Sequence, residues 1–361
     1  MARPLNIAIA GANAERGWAK DAHLPALSAL PDLTIHSVSA RNQENADLAA
    51  KAFGAKKAYG DTLAMVRDPE VDIVAVTVKV PEHRAIVLAA LEAGKHLYCE
   101  WPLGRDLAEA QEMAKAARQA AAKSGTHVAI GLQGESAFAT RHAARLVREG
   151  AIGELLNLRV VSSTAGWAAV APPFYAYLQD KRNGATLATI AGGHTLAAVE
   201  AVVGAYTDVT ARNTILRDKV TIAGSDEQVE RTCPDHMMIL GTHESGCVSS
   251  VEIVGGQTEP LRFELRGTEG TLEIKGYHPG GYQCGHLTVT CSADSSAQQA
   301  DLPGLSDAAQ NVGQIYARLA SDIREGTRTV PEFDRAVRLA NLLDTIDRSS
   351  DEGRTLPISP P

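Results

Sequence analysis

Two short runs, Leu5–Ala10 (LNIAIA) and Val71–Val78 (VDIVAVTV), constrain the fold more than any other part of the chain. Both are almost continuously apolar, and the second is rich in β-branched residues. A strand of that kind is covered on both faces, as inside a parallel sheet flanked by helices. The segments around them fit. Trp18–Leu30 has helical apolar spacing, Thr34–Ser39 reads as a strand and Gln43–Phe53 as a helix. Glu82–Ala93 is helical by period, and Gly94 stands where a C-terminal cap belongs. His96–Glu100 is a further strand, Asp106 opens a long amphipathic helix to Lys123, and Val128–Gly131 is a last, short strand. Strands alternating with helices imply right-handed βαβ units and a doubly wound parallel sheet.

The pattern changes after residue 131. A helix over Phe138–Glu149 precedes a strand-like Leu155–Ser163, a loop-rich stretch, and a helix over His194–Val203. From Asp208 to Thr290 the chain reads as strands joined by turns, among them Met237–Thr242, Cys247–Val254, Leu261–Arg266 and Thr271–Ile274. Such a succession favours a large, mostly antiparallel sheet. The reading is therefore α/β: a doubly wound, Rossmann-type domain over 1–131 and an α+β domain on the large, mostly antiparallel sheet over 132–361. The closing helices, Asp307–Arg324 and Glu332–Ser349, either complete the second domain or pack back on the first. Ser292–Ala300 is a small, polar loop, and the ProIleSerProPro tail is loose.

Composition removes several function classes. Apolar residues are 45% and charged residues 22% of 361, as in an ordinary globular chain. A net charge of −8 without a basic run argues against a nucleic-acid surface. No apolar run spans a bilayer and no signal peptide is evident, so no membrane role is expected. Five cysteines make no CxxC pair, and eleven histidines make no HExxH or Cys/His cluster. Odd, unpaired thiols fit a cytoplasmic location, and no metal site is expected.

The turn after the first strand carries the dinucleotide reading. Gly11 allows a tight turn close to a pyrophosphate, and Gly17 precedes a helix whose N-terminus favours anions. The sequence GANAERG departs from GxGxxG, with Asn13 at the second glycine and Arg16 at the third; Asn tolerates left-handed backbone angles. Taken alone, it also fits a plain strand-to-helix turn. At the end of the second strand, an acid would bind an NAD ribose; here stand Ser39, Ala40, Arg41 and Asn42. Hydroxyl and guanidinium suit a 2′-phosphate, so NADP is expected over NAD, unless Arg41 is merely a solvated charge.

The run AGKHLYCEWPLG (Ala93 to Gly104) resembles the AGKHV-x-x-EKPL signature of the glucose-fructose oxidoreductase and inositol dehydrogenase (Gfo/Idh/MocA) family. HLPAL (His23 to Leu27), EGAIGEL (Glu149 to Leu155) and GTEGTLEI (Gly267 to Ile274) follow the same family's order along the chain. KVPEH (Lys79 to His83), EWPL and the GWA around Trp18 resemble the branch containing the fungal galactose-regulon co-repressor.

The resemblance implies cofactor-side roles for Trp18, Lys79, His83, Glu100, Trp101 and Gln133, and homo-oligomers, dimers or tetramers, formed through an open sheet face. It also exposes departures. The family's proton-handling lysine of EKP is Trp101 here, and the Asp of its DxGxH run is Ile190, while His194 remains. Indole cannot release its proton near neutral pH, so His194 is the best remaining acid/base, with Lys79 and Tyr175 as further candidates. His194 equally fits a packed residue at a helix start. Trp167, Phe174, Tyr175 and Tyr177 cluster in a chain only 4% aromatic, forming a candidate substrate lid with Trp101 and His194, although each ring also fits simple packing. Two functions follow: an NADP-dependent oxidoreductase on a sugar, polyol or other small carbonyl compound, or a non-catalytic dinucleotide-sensing regulator. Retention of His194 and the aromatic stretch favour the enzyme.

Overall fold

The computed structural model describes residues 3–294, 302 and 304–359. The chain divides into two compact units: Met1–Leu132 with 301–337, and Gln133–Ala300 with Arg338–Pro361. The first break lies one residue from the boundary at 131/132, and the segment after 300 returns to the first unit. The polar loop expected to Ala300 lies outside the described residues from 295 on, as do the last two residues of the tail.

The first unit begins β1 (Leu5–Ala10), α1 (Leu24–Ser28), β2 (Leu33–Ser39), α2 (Gln43–Phe53), β3 (Lys57–Tyr59), α3 (Thr62–Val66), β4 (Ile73–Val76), α4 (Val80–Glu92), β5 (His96–Glu100), α5 (Leu107–Ser124) and β6 (Val128–Gly131). Its parallel sheet has the order β3-β2-β1-β4-β5-β6. The order reverses between β1 and β4, the topological switch point where ligands bind in such sheets. Local chemistry marks the ends. The Asp106 side chain accepts from Glu109 N at 2.9 Å and so caps α5. The Asn42 side chain does the same for α2 at Asn45 N.

The second unit opens with α6 (Gln133–Ser136), α7 (Phe138–Arg148), β7 (Leu155–Thr164), β8 (Val170–Ala171) and α8 (Gly193–Val203). Then follow β9 (Tyr206–Thr214), β10 (Lys219–Ile222), β11 (Gln228–Glu230), β12 (His236–His243), β13 (Val248–Gly255), β14 (Leu261–Gly267), β15 (Thr271–Tyr277) and β16 (His286–Cys291). The chain ends with α9 (Asp307–Glu325), α10 (Phe333–Glu352) and β17 (Leu356–Pro357). The large sheet runs β16-β15-β14-β7-β13-β12-β9-β17, antiparallel except where β7 meets β13. One face buries Met237, Ile239, Val251, Ile253, Phe263 and Ile274. On β12 the alternate positions, Met238 and Leu240, are exposed, as strand alternation requires.

α9 completes the first unit. Val312, Ile315, Tyr316 and Leu319 join Ile7, Ile9, Ala22 and Tyr98 in one buried cluster. Tyr98 and Tyr316 stack with ring centroids 4.5 Å apart. Two single turns of π-helix, Ala19–His23 and Ala188–Gly192, lead into α1 and α8. No helix among the described residues is long and apolar enough to cross a membrane.

Candidate functional site

In the first unit the expected cofactor residues gather at the carboxyl ends of the strands around the switch point. Gly11 leaves β1 at φ 93°, and its N–H and that of Ala12 donate to Ser39 O at 3.1 and 2.9 Å. A Cβ at Gly11 would stand 2.8 Å from Val78 Cγ1 and 3.1 Å from the Val78 backbone. The turn therefore needs glycine twice over, for its φ and for close backbone approach. Asn13 Oδ1 accepts from Glu15 N and Arg16 N, so its side chain ties the degenerate turn together. Gly17 has φ 100° and precedes the helical run that contains Trp18. Ser39 is buried and shares a 2.9 Å hydrogen bond with Thr62 Oγ1, whereas Arg41 is exposed.

The loop after β4 places Lys79, exposed, immediately before α4. His83 turns inward. Its ring nitrogens face Val78 O at 3.0 Å and Leu103 O at 3.3 Å, and burial lowers its pKa. It joins the loops after β4 and β5, which is how it would act on a ligand. Glu100 closes β5 and is 9% exposed. Its Oε1 meets His23 Nε2 at 2.8 Å, and His23 Nδ1 meets Tyr316 Oη at 2.8 Å. This buried Glu100–His23–Tyr316 chain fixes the carboxylate. Burial holds the Tyr316 phenol well above its usual range, so it stays protonated. Trp101, next along, is buried.

In the second unit His194 sits in the first turn of α8 and is 3% exposed. The π-turn containing Ile190 precedes it; such turns recur at functional sites. α6 packs closely there: a Cβ on Gly134 would lie 2.6 Å from His194 O. Gln133 beside it is fully buried. Thr140 Oγ1 bonds Gly134 O at 2.7 Å and Tyr282 Oη at 2.9 Å, holding α6 in place. His194, Gln133 and Tyr282 thus share one packed neighbourhood.

The aromatic stretch is ordered by its own contacts. Trp167 adopts φ 59°, is buried, and its indole N–H donates to Leu178 O at 3.2 Å. Beneath the stretch, Arg231, 2% exposed, donates to Gln179 Oε1, Asp235 Oδ2 and Ala168 O. Tyr175 is 46% exposed and packs edge-on against Phe174. Tyr177 is pushed up to about 12 by burial and the nearby Tyr175, which makes it a poor proton donor at neutral pH. Sequence reading passed over Arg231, Asp235, Tyr282 and Tyr316 as site-shaping residues. HLPAL did flag the segment of His23, but its pairing with Glu100 spans 77 positions and leaves no linear mark.

Residues 5–127 match the oxidoreductase family with an NAD-binding Rossmann fold, and residues 139–276 match the Gal80p C-terminal domain. Dehydrogenase aclE of Aspergillus oryzae is 29% identical over 339 residues, 89% of this chain and 88% of its own length. Levoglucosan dehydrogenase of Pseudarthrobacter phenanthrenivorans is 28% identical over 294 residues, 74% of this chain and 73% of its own. A structure of levoglucosan dehydrogenase with NADH and L-sorbose shares the fold, with a TM-score of 0.82 at 21% identity and 99% of each chain covered. The super-repressor mutant of Gal80p from Saccharomyces cerevisiae aligns with a TM-score of 0.86 at 22% identity, over 99% of this chain and 98% of the other.

Proposed function

Since the chain belongs to the Gfo/Idh/MocA oxidoreductase family, with a second domain of the Gal80p C-terminal kind, we propose that it is an NADP-dependent oxidoreductase acting on a sugar, polyol or similar small carbonyl or alcohol compound. The observation that carries the reading is the switch-point turn. Gly11 turns at φ 93° against Val78 with no room for a side chain, the tight first turn that in a dinucleotide-binding βα unit brings the following loop and helix N-terminus to a pyrophosphate. When bound, the nicotinamide would supply or accept hydride at a substrate carbon.

The chain's own residues would do the rest. Gly11, Asn13, Gly17 and Trp18 would hold the pyrophosphate side, and Arg41 the 2′-phosphate. Ser39, with its hydroxyl committed to Thr62, would shape that pocket. Lys79 and Glu100 would contact the ribose, with Glu100 held in one orientation by His23. Trp101 would form an apolar wall and Gln133 a polar contact. His194 would hold or move the substrate hydroxyl proton, with Tyr175 the better placed of the two tyrosines by exposure. The named relatives include a levoglucosan dehydrogenase and a 1,5-anhydro-D-fructose reductase, which supports the substrate class.

A second reading has its own support. Trp101 and Ile190 stand where the family places Lys and Asp, and the second domain matches that of a regulatory protein. This reading is a dinucleotide-sensing protein without turnover. We also propose that the exposed Met238, Leu240 and Val248 of the large sheet form a self-association face.

Purified protein with NADP or NADPH, screened against aldoses, polyols and cyclic ketones, separates the two readings. Turnover that His194→Ala abolishes supports the enzyme. Tight NADPH binding without turnover across the panel supports the sensor. Arg41→Ala should weaken NADPH far more than NADH; equal losses would refute the choice of NADP.

A further inference from the structure

Away from the switch point, the outer edge of the Rossmann sheet gathers a second set of polar groups. His36 lies within β2, exactly opposed by no residue of β1: the register steps from Ile7↔Ile35 to Ala8↔Ser37. It is therefore the extra residue of a β-bulge, a device that re-aims a side chain. The imidazole is buried, and among the described residues neither ring nitrogen has a hydrogen-bond partner. Leaving a buried polar group in that state is unfavourable, and a ligand on the ring would relieve it. Its Nε2 points at two carboxylates, 3.4 Å from Asp68 Oδ2 and 3.9 Å from Glu70 Oε2.

We propose that His36, Asp68 and Glu70 form a binding site for a divalent transition-metal ion of the zinc class, capped by Lys57. One ligand atom from each residue lies within 4.8 Å of the others. In a tetrahedral zinc site with ~2.0–2.1 Å bonds, ligand atoms stand ~3.3 Å apart, close to the His36–Asp68 separation. One imidazole nitrogen and two carboxylate oxygens are a zinc donor set. The partly exposed Glu70 leaves the remaining position open to water.

The ligands are also held from behind. Asp68 Oδ1 accepts from Glu70 N at 2.9 Å, and Oδ2 accepts from Tyr59 Oη at 2.8 Å. Outer contacts of this kind orient metal ligands.

Lys57 is the present cation. Its Nζ lies 2.9 Å from Asp68 Oδ2 and 2.5 Å from Glu70 Oε2. One ammonium leaves two carboxylates undercompensated, whereas a divalent ion balances both. The lysine side chain is 39% exposed on a short edge strand, so it can swing into water when an ion enters. That competition makes the site responsive to metal concentration.

The test is a titration of chelator-treated full-length protein with Co²⁺, read by visible absorption and competed with Zn²⁺. One Co²⁺ per chain should give a tetrahedral-type spectrum that Zn²⁺ bleaches. Lys57→Gln removes the competing cation and should tighten binding about tenfold or more, and His36→Gln should weaken it by about 10–100-fold. The other ten histidines provide background sites that His36→Gln leaves intact. The proposal is overturned if neither wild type nor Lys57→Gln shows saturable binding, or if Lys57→Gln binds no tighter than wild type. It is equally overturned if folded His36→Gln binds like wild type.

Discussion

Replacing Gly11 with alanine isolates the geometry on which cofactor binding is argued. Two separate costs follow. An L-residue at φ 93° is strained, by about 1–2 kcal/mol for a left-handed position. The new methyl also meets Val78 Cγ1 at 2.8 Å and the Val78 backbone at 3.1 Å. The side-chain contact can rotate away, but the backbone contact cannot, and overpacking of this kind costs about 1–3 kcal/mol. The sum is roughly 2–5 kcal/mol, concentrated on β1 and the loop after β4. Gly17→Ala is the matched control. Its φ is 100°, but nothing lies within 4 Å of the added Cβ, so only the strain of about 1–2 kcal/mol applies. Hydrogen exchange at β1 amides, read as local opening free energy, measures both variants without requiring the whole chain to unfold as one. Fluorescence titration with NADPH should show the larger affinity loss for Gly11→Ala, because its turn must move. Equal protection and equal affinity for the two variants would refute the close-approach argument.

Three further outcomes are expected. His96 is pushed down to about 4 by burial, with His127 adding to the effect, so it is neutral in the native state at neutral pH. The unfolded chain takes up this proton near its ordinary value, so stability is present above that pH and is lost as pH falls toward 4, by up to about 3 kcal/mol. His96→Gln, whose amide oxygen can still accept from His127 N, should flatten the acid limb of a urea-midpoint profile; an unchanged limb would contradict this. Arg231→Leu leaves Asp235 with Arg217 and Leu216 N but strips the buried fork beneath the aromatic stretch. A loss of about 3–5 kcal/mol and faster proteolysis near Trp167–Asn183 should result, and native resistance would count against the anchoring role. Leu240→Glu, on the exposed sheet face, should shift sedimentation toward the monomer if that face self-associates, and an unchanged species would exclude it.

Much of the first unit was readable because each signal was local. Asp106 and Asn42 cap helices through their own side chains, Gly94 ends α4, and apolar runs mark every central strand. The short β3 and α3 lack enough residues to show a period, so they were missed. The π-turns were also missed, because Ala188–Gly192 has the same small apolar residues that an ordinary helix uses. The candidate residues of each unit divide in the same way. Gly11, Glu100 and His194 stand in recognisable strings, whereas Glu100–His23–Tyr316 and His36–Asp68–Glu70 are assembled only by tertiary contact. Linear spacing carries no trace of the approach of His36 to Asp68.

The return of α9 to the first unit sets an order on biosynthesis. When Leu132 leaves the ribosome, the β1–β6 sheet exists without Val312, Ile315, Tyr316 and Leu319, whose side chains fill its core. About 180 more residues must be translated before the first of them arrives, roughly 10–35 s at bacterial-to-eukaryotic elongation rates. During that interval the nascent sheet keeps an apolar seam open to solvent. The glutamate held by His23 likewise lacks the tyrosine that completes its chain, so the dinucleotide half matures only after the half inserted within it has been made.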